Sequence, residues 1–323
     1  MIPIPPIDVT DLDPISGYLE DNGSTTAMIY PLADSVADPL SWLRRHRDRI
    51  ESALHRYGAV LLRGLPTDMR LFEETVALIG GTALSYTDRS TPRTRIGTNI
   101  YTSTEYPPDQ RILMHNENSY ADTWPGLLFF LCETPADEGG HTPIADSRAV
   151  FRRLPQDLLD RFADGVRYTR TYRDELGLGW QEAFQTDSRA QVERYCSDHD
   201  IDYDWDGSLL HTKTTRPAWR DDPWDGVPVW FNQANLFHVS ALEEEIREAL
   251  LAAFPEKELP RNAYLGDGSP ISEADLAHIE QAYSDCVLTL PWHRGDLLIV
   301  ANMIAAHGRT AYRGTRRIWV AMA

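Results

Sequence analysis

The feature that most constrains this chain is a pair of segments that carry metal-ligand residue types far apart in the sequence. His115-Asn116-Glu117 lies in the first half of the chain, and His307 follows about 190 residues later. In an extended strand His115 and Glu117 share a face, while Asn116 points away. They supply two ligands of a 2-His-1-carboxylate triad, which holds non-haem Fe(II) with an open coordination face. Because the third ligand would come from the far end, the pattern favours one elaborated domain, residues 1–323.

Composition narrows the class of protein. The hydrophobic fraction of 42% is ample for a core, and the net charge of −18 argues against nucleic-acid or anionic-membrane binding as the main role. Three widely spaced cysteines suggest no disulfide framework. No apolar run reaches membrane-spanning length, and the first residues lack the pattern of a signal peptide. We therefore expect a soluble, cytoplasmic protein.

Local signals predict mixed secondary structure. Residues 1–37 are expected to wrap the surface as irregular chain. Asp38 and Pro39 should begin a helix that ends at Gly58, and Ser272 should cap a helix over 273–283. Further helices are predicted at 69–79, 149–163, 188–199 and 239–254, and strands at 59–62, 126–132 and 296–300. The pattern is that of a mostly β protein with peripheral helices.

The order and spacing of several segments resemble the taurine dioxygenase-like (TauD/TfdA) superfamily of Fe(II)/2-oxoglutarate oxygenases. Within it, the chain is similar to the branch typified by the syringomycin-biosynthesis hydroxylase. The resemblance covers most of the chain from about residue 57 onward. It is carried by residues 101–107, 115–120, 139–148, 229–233, 266–271 and 307–317. It implies a double-stranded β-helix (jelly roll) core.

The resemblance also implies the cofactors and the residues that bind them. His115, Glu117 and His307 would bind Fe(II), and 2-oxoglutarate and O2 would complete the coordination. The far carboxylate of 2-oxoglutarate needs a planar cation, for which Arg317 matches the family position. Arg316 is the alternate, and only one of these neighbours can point inward. Thr142 matches the family's hydroxyl on the same cosubstrate.

Substrate residues are less constrained than the cofactor residues. Arg111 lies four residues before His115 and would either bind a substrate carboxylate or be a solvated edge residue. Trp230, Asn232 and His238 would either line the substrate side or pack in the core. In taurine dioxygenase a further Arg, four residues after the cosubstrate Arg, contacts the sulfonate. Ala321 stands four residues after Arg317, so a sulfonate substrate is not expected.

The reaction implied by the resemblance is hydroxylation of an unactivated C–H bond. Related halogenases replace the carboxylate ligand with a small residue, so Glu117 favours hydroxylation. The expected substrate is an amino acid, free or presented by a peptidyl carrier protein, in secondary-metabolite (natural-product) biosynthesis. Desaturation or epoxidation at the same site, and an idle β-helix binding module, are the alternatives. An acidic carrier would need a local basic patch, for which residues 44–47 are a candidate.

Overall fold

The computed structural model describes residues 17–32, 36, 38–82, 84, 95–97, 99–103, 106–173 and 176–323. Thr104 and Glu105, which belong to one of the segments that carry the family resemblance, lie outside them. Within these ranges, no helix combines the length and the apolar character needed to cross a membrane.

Strands and helices alternate irregularly along the described chain. The strands are β1 (Tyr18–Asp21), β2 (Thr26–Pro31), β3 (Ala59–Arg63), β4 (Arg95–Gly97), β5 (Ile100–Thr102), β6 (Ile112–His115), β7 (Leu127–Thr134), β8 (Glu138–Gly139), β9 (Ile144–Asp146), β10 (Val166–Tyr172), β11 (Asp202–Asp206), β12 (Leu209–Arg216), β13 (Trp219–Asp221), β14 (Pro228–Trp230), β15 (Arg261–Leu265), β16 (Leu297–Ala301), β17 (Ala305–Arg309), β18 (Tyr312–Arg313) and β19 (Arg317–Met322). The α-helices are α1 (Pro39–Tyr57), α2 (Met69–Gly80), α3 (Ser147–Arg153), α4 (Gln156–Arg161), α5 (Trp180–Phe184), α6 (Arg189–Asp198), α7 (Ala234–Phe237), α8 (Glu244–Ala253) and α9 (Glu273–Cys286). Short 3-10 turns lie at Val239–Ala241 and Glu256–Glu258.

The largest sheet has eight strands in the order β1-β2-β3-β16-β7-β19-β5-β4. Only the β2–β3 pair is parallel within this sheet. A three-stranded sheet, β6-β17-β9, and a four-stranded sheet, β11-β12-β10-β15, accompany it. The fold is thus a mixed, sheet-rich architecture with helices around it.

The central strand β7 is buried on both faces, as its continuous apolar run predicted. Leu128 and Phe130 join a cluster with residues of β9, β16, β17 and β19. Phe129 and Leu131 point the other way, into a cluster with the apolar faces of α1 and α2. Strand periodicity therefore places one layer of core between the large sheet and the strands that carry His115 and His307, and a second layer under the helices.

Helix termini follow the capping signals of the sequence. Asp38 accepts a hydrogen bond from the Ser41 amide, and Gly58 ends α1 in the left-handed region at φ 76°. Ser272 caps α9 through the Asp275 amide. The helix predicted over 149–163 is instead two helices, because Pro155 at the junction supplies no amide proton. In the 239–254 region, α8 begins only at Glu244.

The prediction that residues 1–37 form irregular surface chain is wrong for the part described. Strand β2 pairs in parallel with β3 inside the large sheet, and β1 pairs with β2 at its edge. Ala27 and Ile29 are buried in the core. Their apolar side chains alternate with more exposed ones, which is a strand signal that the surrounding Asp and Ser residues concealed. Residues 1–16 lie outside the described chain.

Candidate active site

Strand pairing brings the two distant histidines together. His115, the last residue of β6, stands directly opposite His307 of β17 in an antiparallel pair, and their ring centroids are 4.4 Å apart. Glu117 lies in the turn that follows β6, and its Oε2 is 3.8 Å from His115 Nε2 and 3.7 Å from His307 Nε2. All three residues are buried. One potential ligand atom from each lies within 4.8 Å of the others, forming a compact His-Glu-His cluster.

The tautomer of His115 suits a metal ligand. Its Nδ1 lies 2.8 Å from the Leu113 carbonyl oxygen, which can only accept a hydrogen bond. Nδ1 must therefore carry the proton, and in the neutral ring the lone pair is on Nε2, the atom nearest Glu117. Two imidazoles and one carboxylate in one cluster are the donor set of a non-haem Fe(II) site. The residues present fit that ion.

A layer of amides fixes the backbone of the 115–117 segment. Asn302 Oδ1 accepts a hydrogen bond from the Glu117 amide at 2.7 Å, and Asn302 Nδ2 donates to the Glu117 carbonyl at 2.9 Å. Asn116 Nδ2 donates to the Asn302 carbonyl at 2.6 Å. Gln233 Nε2 donates to the Asn116 carbonyl at 2.8 Å. The bonds between Asn302 and residues 116 and 117 join the loop before His307 to the loop after His115.

Sequence reasoning assigned no role to Asn302 or Gln233. Asn302 directly follows β16, and Gln233 follows the buried segment 229–232. The only local sequence signal at either position is an amide side chain that follows an apolar segment. This signal does not indicate which residue the amide contacts. Their partners are more than a hundred residues away.

The cluster opens into a pocket of about 920 Å³, a volume that includes the solvent at its mouth. Apolar side chains of Phe130, Leu236 and Val320 form part of the wall. Four arginines also line it, at positions 111, 261, 309 and 316, and Glu117 is the only acidic residue among the lining residues of the described chain. The pocket of this acidic protein is therefore cationic, which suits anionic ligands.

Arg316, not Arg317, points into the pocket, so the expectation for Arg317 is wrong. Arg317 is the first residue of β19, and its side chain is 67% exposed, with a 4.0 Å ion pair to Glu133. Ile318 and Val320 face the inner core, and counting back by two from them reaches Arg316. Only one of the two neighbouring arginines points inward, as strand alternation predicted, but the spacing from His307 in the family had selected Arg317 instead of Arg316.

Arg316 is held rigidly beside Thr142. Its Nε donates to the Gly140 carbonyl at 2.7 Å and its Nη1 to Ser103 Oγ at 3.0 Å. Its Nη2 lies 3.5 Å from the hydroxyl of Thr142, which also lines the pocket. Burial, with a contribution from Arg309, lowers the pKa of the Arg316 guanidinium to about 10, so it stays charged at neutral pH. This arrangement leaves a positioned cation near the His-Glu-His cluster.

Arg309 supports the pocket wall. Its guanidinium donates to the carbonyls of Tyr106, Pro107 and Gln110, at 3.0, 2.5 and 2.8 Å. Burial lowers the pKa of this guanidinium. Arg309 thus closes the 106–110 loop against β17.

The residues expected at the substrate side are distributed differently. Arg111 sits at the mouth, 71% exposed, with Glu280 3.6 Å away. The structure thus favours the solvated alternative for Arg111. Trp230 and Asn232 are fully buried outside the pocket lining, so the structure favours the alternative that they pack in the core. Trp230 packs on Phe162, and Asn232 bonds to the backbone.

His238 is also a structural residue. Its Nδ1 accepts a hydrogen bond from the Ser240 amide at the start of a 3-10 turn, and it does not line the pocket. Burial lowers the pKa of its imidazole. The neutral ring is the form that can accept that bond.

With Arg316 as the inward arginine, the position that corresponds to the sulfonate-binding Arg of taurine dioxygenase is 320 instead of 321. Four residues after Arg316 stands Val320, which lines the pocket. Ala321 is buried on the opposite face of β19, under the helices. Neither residue offers a cation.

Comparisons with known proteins identify the family of this chain. Residues 27–322 match the taurine catabolism dioxygenase TauD, TfdA family. The chain is 38% identical over 276 residues to the dapdiamide synthesis protein DdaC of Enterobacter agglomerans, covering 84% of each chain.

Solved structures share the fold. PvcB, described as an Fe, alpha-ketoglutarate dependent oxygenase from an isonitrile synthetic pathway, is 13% identical with a TM-score of 0.50, over 92% of this chain and 85% of PvcB. AAD-2, solved with Mn(II) and N-oxalylglycine, is 10% identical with a TM-score of 0.57, over 96% of this chain and 97% of AAD-2. At these identities the likeness concerns the fold.

Proposed function

This chain belongs to the TauD/TfdA family of dioxygenases that use Fe(II) and 2-oxoglutarate, and on that premise we propose that it hydroxylates an unactivated C–H bond of an amino-acid substrate. The substrate is either free or presented by a peptidyl carrier protein, in natural-product biosynthesis. The observation that carries the proposal is the His115-Glu117-His307 cluster in one pocket with Arg316.

Each residue of the site has a defined task. His115, His307 and Glu117 would hold Fe(II), to which they offer two imidazole nitrogens and a carboxylate. Arg316 binds the far carboxylate of 2-oxoglutarate, and Thr142 adds a hydroxyl beside it. When bound, Fe(II), 2-oxoglutarate and O2 supply oxidation of a C–H bond, with succinate and CO2 as co-products. Phe130 and Val320 form an apolar part of the pocket wall.

The outcome of the reaction follows from the same residues. A carboxylate at position 117 fills a coordination site that a halide would need, which favours hydroxylation over halogenation. Val320, where a sulfonate receptor would stand, carries no charge. Taurine is therefore expected to be inert. An idle binding module is disfavoured because it would not need the cluster together with a held cation.

The fold supports the same proposal. We assign the eight-stranded sheet and the β6-β17-β9 sheet to the two halves of a jelly-roll core, with residues 1–323 as one domain. The core that joins the two sheets lies between β7 and β17. His307 comes from that interface, so the domain closes around the metal site.

One feature supports a natural-product substrate, and a second supports its presentation by a carrier protein. The similarity to DdaC, whose name assigns it to dapdiamide synthesis, covers most of both chains. Arg44, Arg45 and Arg47 are exposed on α1, and Arg47 forms an i,i+4 ion pair with Glu51. We propose this helix face as the contact for an acidic carrier.

The direct test measures succinate formed from 2-oxoglutarate with Fe(II) under air. Free amino acids and aminoacyl-carrier proteins are screened in parallel, with taurine as a negative control. We expect an amino-acid probe to raise succinate formation and to gain one oxygen atom by mass spectrometry. Glu117→Ala should remove both signals. Loss of two hydrogens from the probe would show desaturation, and an added chlorine would overturn the hydroxylation assignment.

A further inference from the structure

Of the four arginines that line the pocket, three have their guanidinium groups engaged. Arg316 donates to Gly140 and Ser103, Arg309 donates to three carbonyls, and Arg111 pairs with Glu280. Arg261 has no hydrogen bond or ion pair with any residue in the described ranges, although it lines the same pocket. A guanidinium group that lines a pocket without an acceptor from the described residues is available to bind an anionic ligand.

The position of Arg261 explains why its charge stays uncompensated. It is the first residue of β15 and pairs with Arg170 of β10, another cation. Its guanidinium lies 5.5 Å from the centre of the Phe237 ring, so an aromatic face supports it. Burial lowers the pKa of the guanidinium, Arg170 lowers it further, and the hydroxyl groups of Tyr106 and Tyr120 act in the opposite direction. The fold therefore places the guanidinium of Arg261 at the pocket, where an anionic ligand would pair with it.

The cofactors do not supply that anion. Once Fe(II) and 2-oxoglutarate are bound, the charges of the ion, Glu117, 2-oxoglutarate and Arg316 cancel. Arg309 is already occupied with the carbonyls of the 106–110 loop. Arg261 is left as the charge that a further ligand would neutralise.

We propose that Arg261 is the receptor for a carboxylate of the substrate that is oxidised. This inference rests on the proposed function and narrows its substrate class to molecules that carry a free carboxylate. In a free amino acid the α-carboxylate takes this role. In a carrier-bound substrate, whose α-carboxyl group is masked as a thioester, a side-chain carboxylate takes it. The planar fork of Arg matches the planar carboxylate with two parallel hydrogen bonds.

The experiment compares matched probes on wild type and variants. The free probes are L-amino acids and their α-carboxamides, and the tethered probes are aspartyl- and glutamyl-carriers beside asparaginyl- and glutaminyl-carriers. Stimulated succinate formation gives KM for each probe. The 2-oxoglutarate KM and the slow, probe-free succinate formation are measured separately. Arg261→Gln removes the charge, Arg261→Lys keeps the charge without the fork, and Arg111→Gln removes a charge from the mouth of the same pocket.

We expect the acids to be preferred over their amides by wild type. Arg261→Gln should raise the KM of the preferred acid at least about tenfold and erase that preference. Arg261→Lys should recover part of it. The 2-oxoglutarate KM should stay the same in both, because Arg316 and not Arg261 is assigned to the cosubstrate. Arg111→Gln should change the KM less than about threefold, since its exposed charge is screened.

Three results would overturn the inference. Equal use of acids and amides by wild type would show that no carboxylate is recognised. Equal increases in the KM of the acid probe in Arg261→Gln and Arg111→Gln would show that Arg261 acts only through the overall positive charge of the pocket. A raised 2-oxoglutarate KM in Arg261→Gln would make it a cosubstrate residue. Succinate formed by wild type in any of these cases leaves the proposed function standing, whereas its complete absence would remove both.

Discussion

The side chain of Asn302 forms two hydrogen bonds with the backbone of Glu117: its Oδ1 accepts from the Glu117 amide at 2.7 Å, and its Nδ2 donates to the Glu117 carbonyl at 2.9 Å. Asn302 lies between β16 and β17, five residues before His307. The residue that orients the carboxylate ligand is therefore tied to the strand that supplies the second imidazole. Metal sites depend on such outer contacts because ligand side chains must be held in place before the ion arrives.

Asn302→Ala should weaken both folding and metal binding. It removes the two bonds to Glu117 and one to the Pro125 carbonyl, and leaves buried backbone groups unpaired. We expect the free energy of unfolding to fall by at least about 3 kcal/mol. Fe(II) affinity should fall about 10–100-fold, as for other outer-shell partners. Denaturant unfolding and anaerobic Fe(II) titration measure these effects.

Asn232→Ala is the matched control for that change. Asn232 is equally buried and uses its amide for Ala218 and Ala234, away from the metal ligands. It should lower stability and leave the Fe(II) affinity of the folded protein unchanged. Equal metal affinities in the two variants would contradict a positioning role for Asn302.

Removal of one imidazole of the triad should greatly weaken the binding of Fe(II). His307→Ala leaves His115 and Glu117, and a site with two ligands should lose more than about 100-fold in Fe(II) affinity, beyond the effect of an outer-shell change. Fe(II) titration and succinate formation provide the readout. His141→Ala is the comparison, because His141 lies outside the cluster. Retained turnover in His307→Ala would exclude His307 from the triad.

Exchange of the two neighbouring arginines tests the assignment of the cosubstrate anchor. Arg316→Lys keeps a charge and loses the planar fork, so the 2-oxoglutarate KM should rise about tenfold or more. Arg317→Lys should change it less than about twofold, because that side chain is 67% exposed and does not line the pocket. Steady-state succinate formation at varied 2-oxoglutarate measures both. A larger effect at Arg317 would contradict the inward direction of Arg316.

His238 should make stability depend on pH. Burial lowers its pKa below 6.5 in the folded protein, so below pH 6.5 the unfolded chain binds more protons than the folded chain. Its contribution is therefore intact above pH 6.5 and is lost as pH falls below that value. The free energy of unfolding of wild type should fall from pH 7 to pH 5 more steeply than that of His238→Asn, whose amide oxygen can still accept from Ser240. Parallel curves would exclude His238 as a source.

The sequence already indicated much of the local structure. Asp38 and Gly58 bounded α1 because caps act within one turn of the chain. The apolar run of β7 indicated a strand buried on both faces, because such a strand needs an apolar residue at every position and this can be read from the local sequence. His115, Glu117 and His307 were nominated by residue type and order. Family resemblance contributed the expectation that they share one metal.

What the sequence alone determined, therefore, is what each residue's chemistry and its neighbours impose: helix termini, buried strands and the set of possible ligands. Tertiary structure decided which nominated side chains meet. Arg316 and Arg317 differ by one position, and only the inner core contacts of Ile318 and Val320 choose between them. Arg111 and Arg261 are equally cationic, but Glu280 pairs with the first at the surface, while β15 places the second at the pocket without an ion-pair partner in the described part of the chain. Such choices depend on contacts between distant segments, which one-dimensional patterns do not specify.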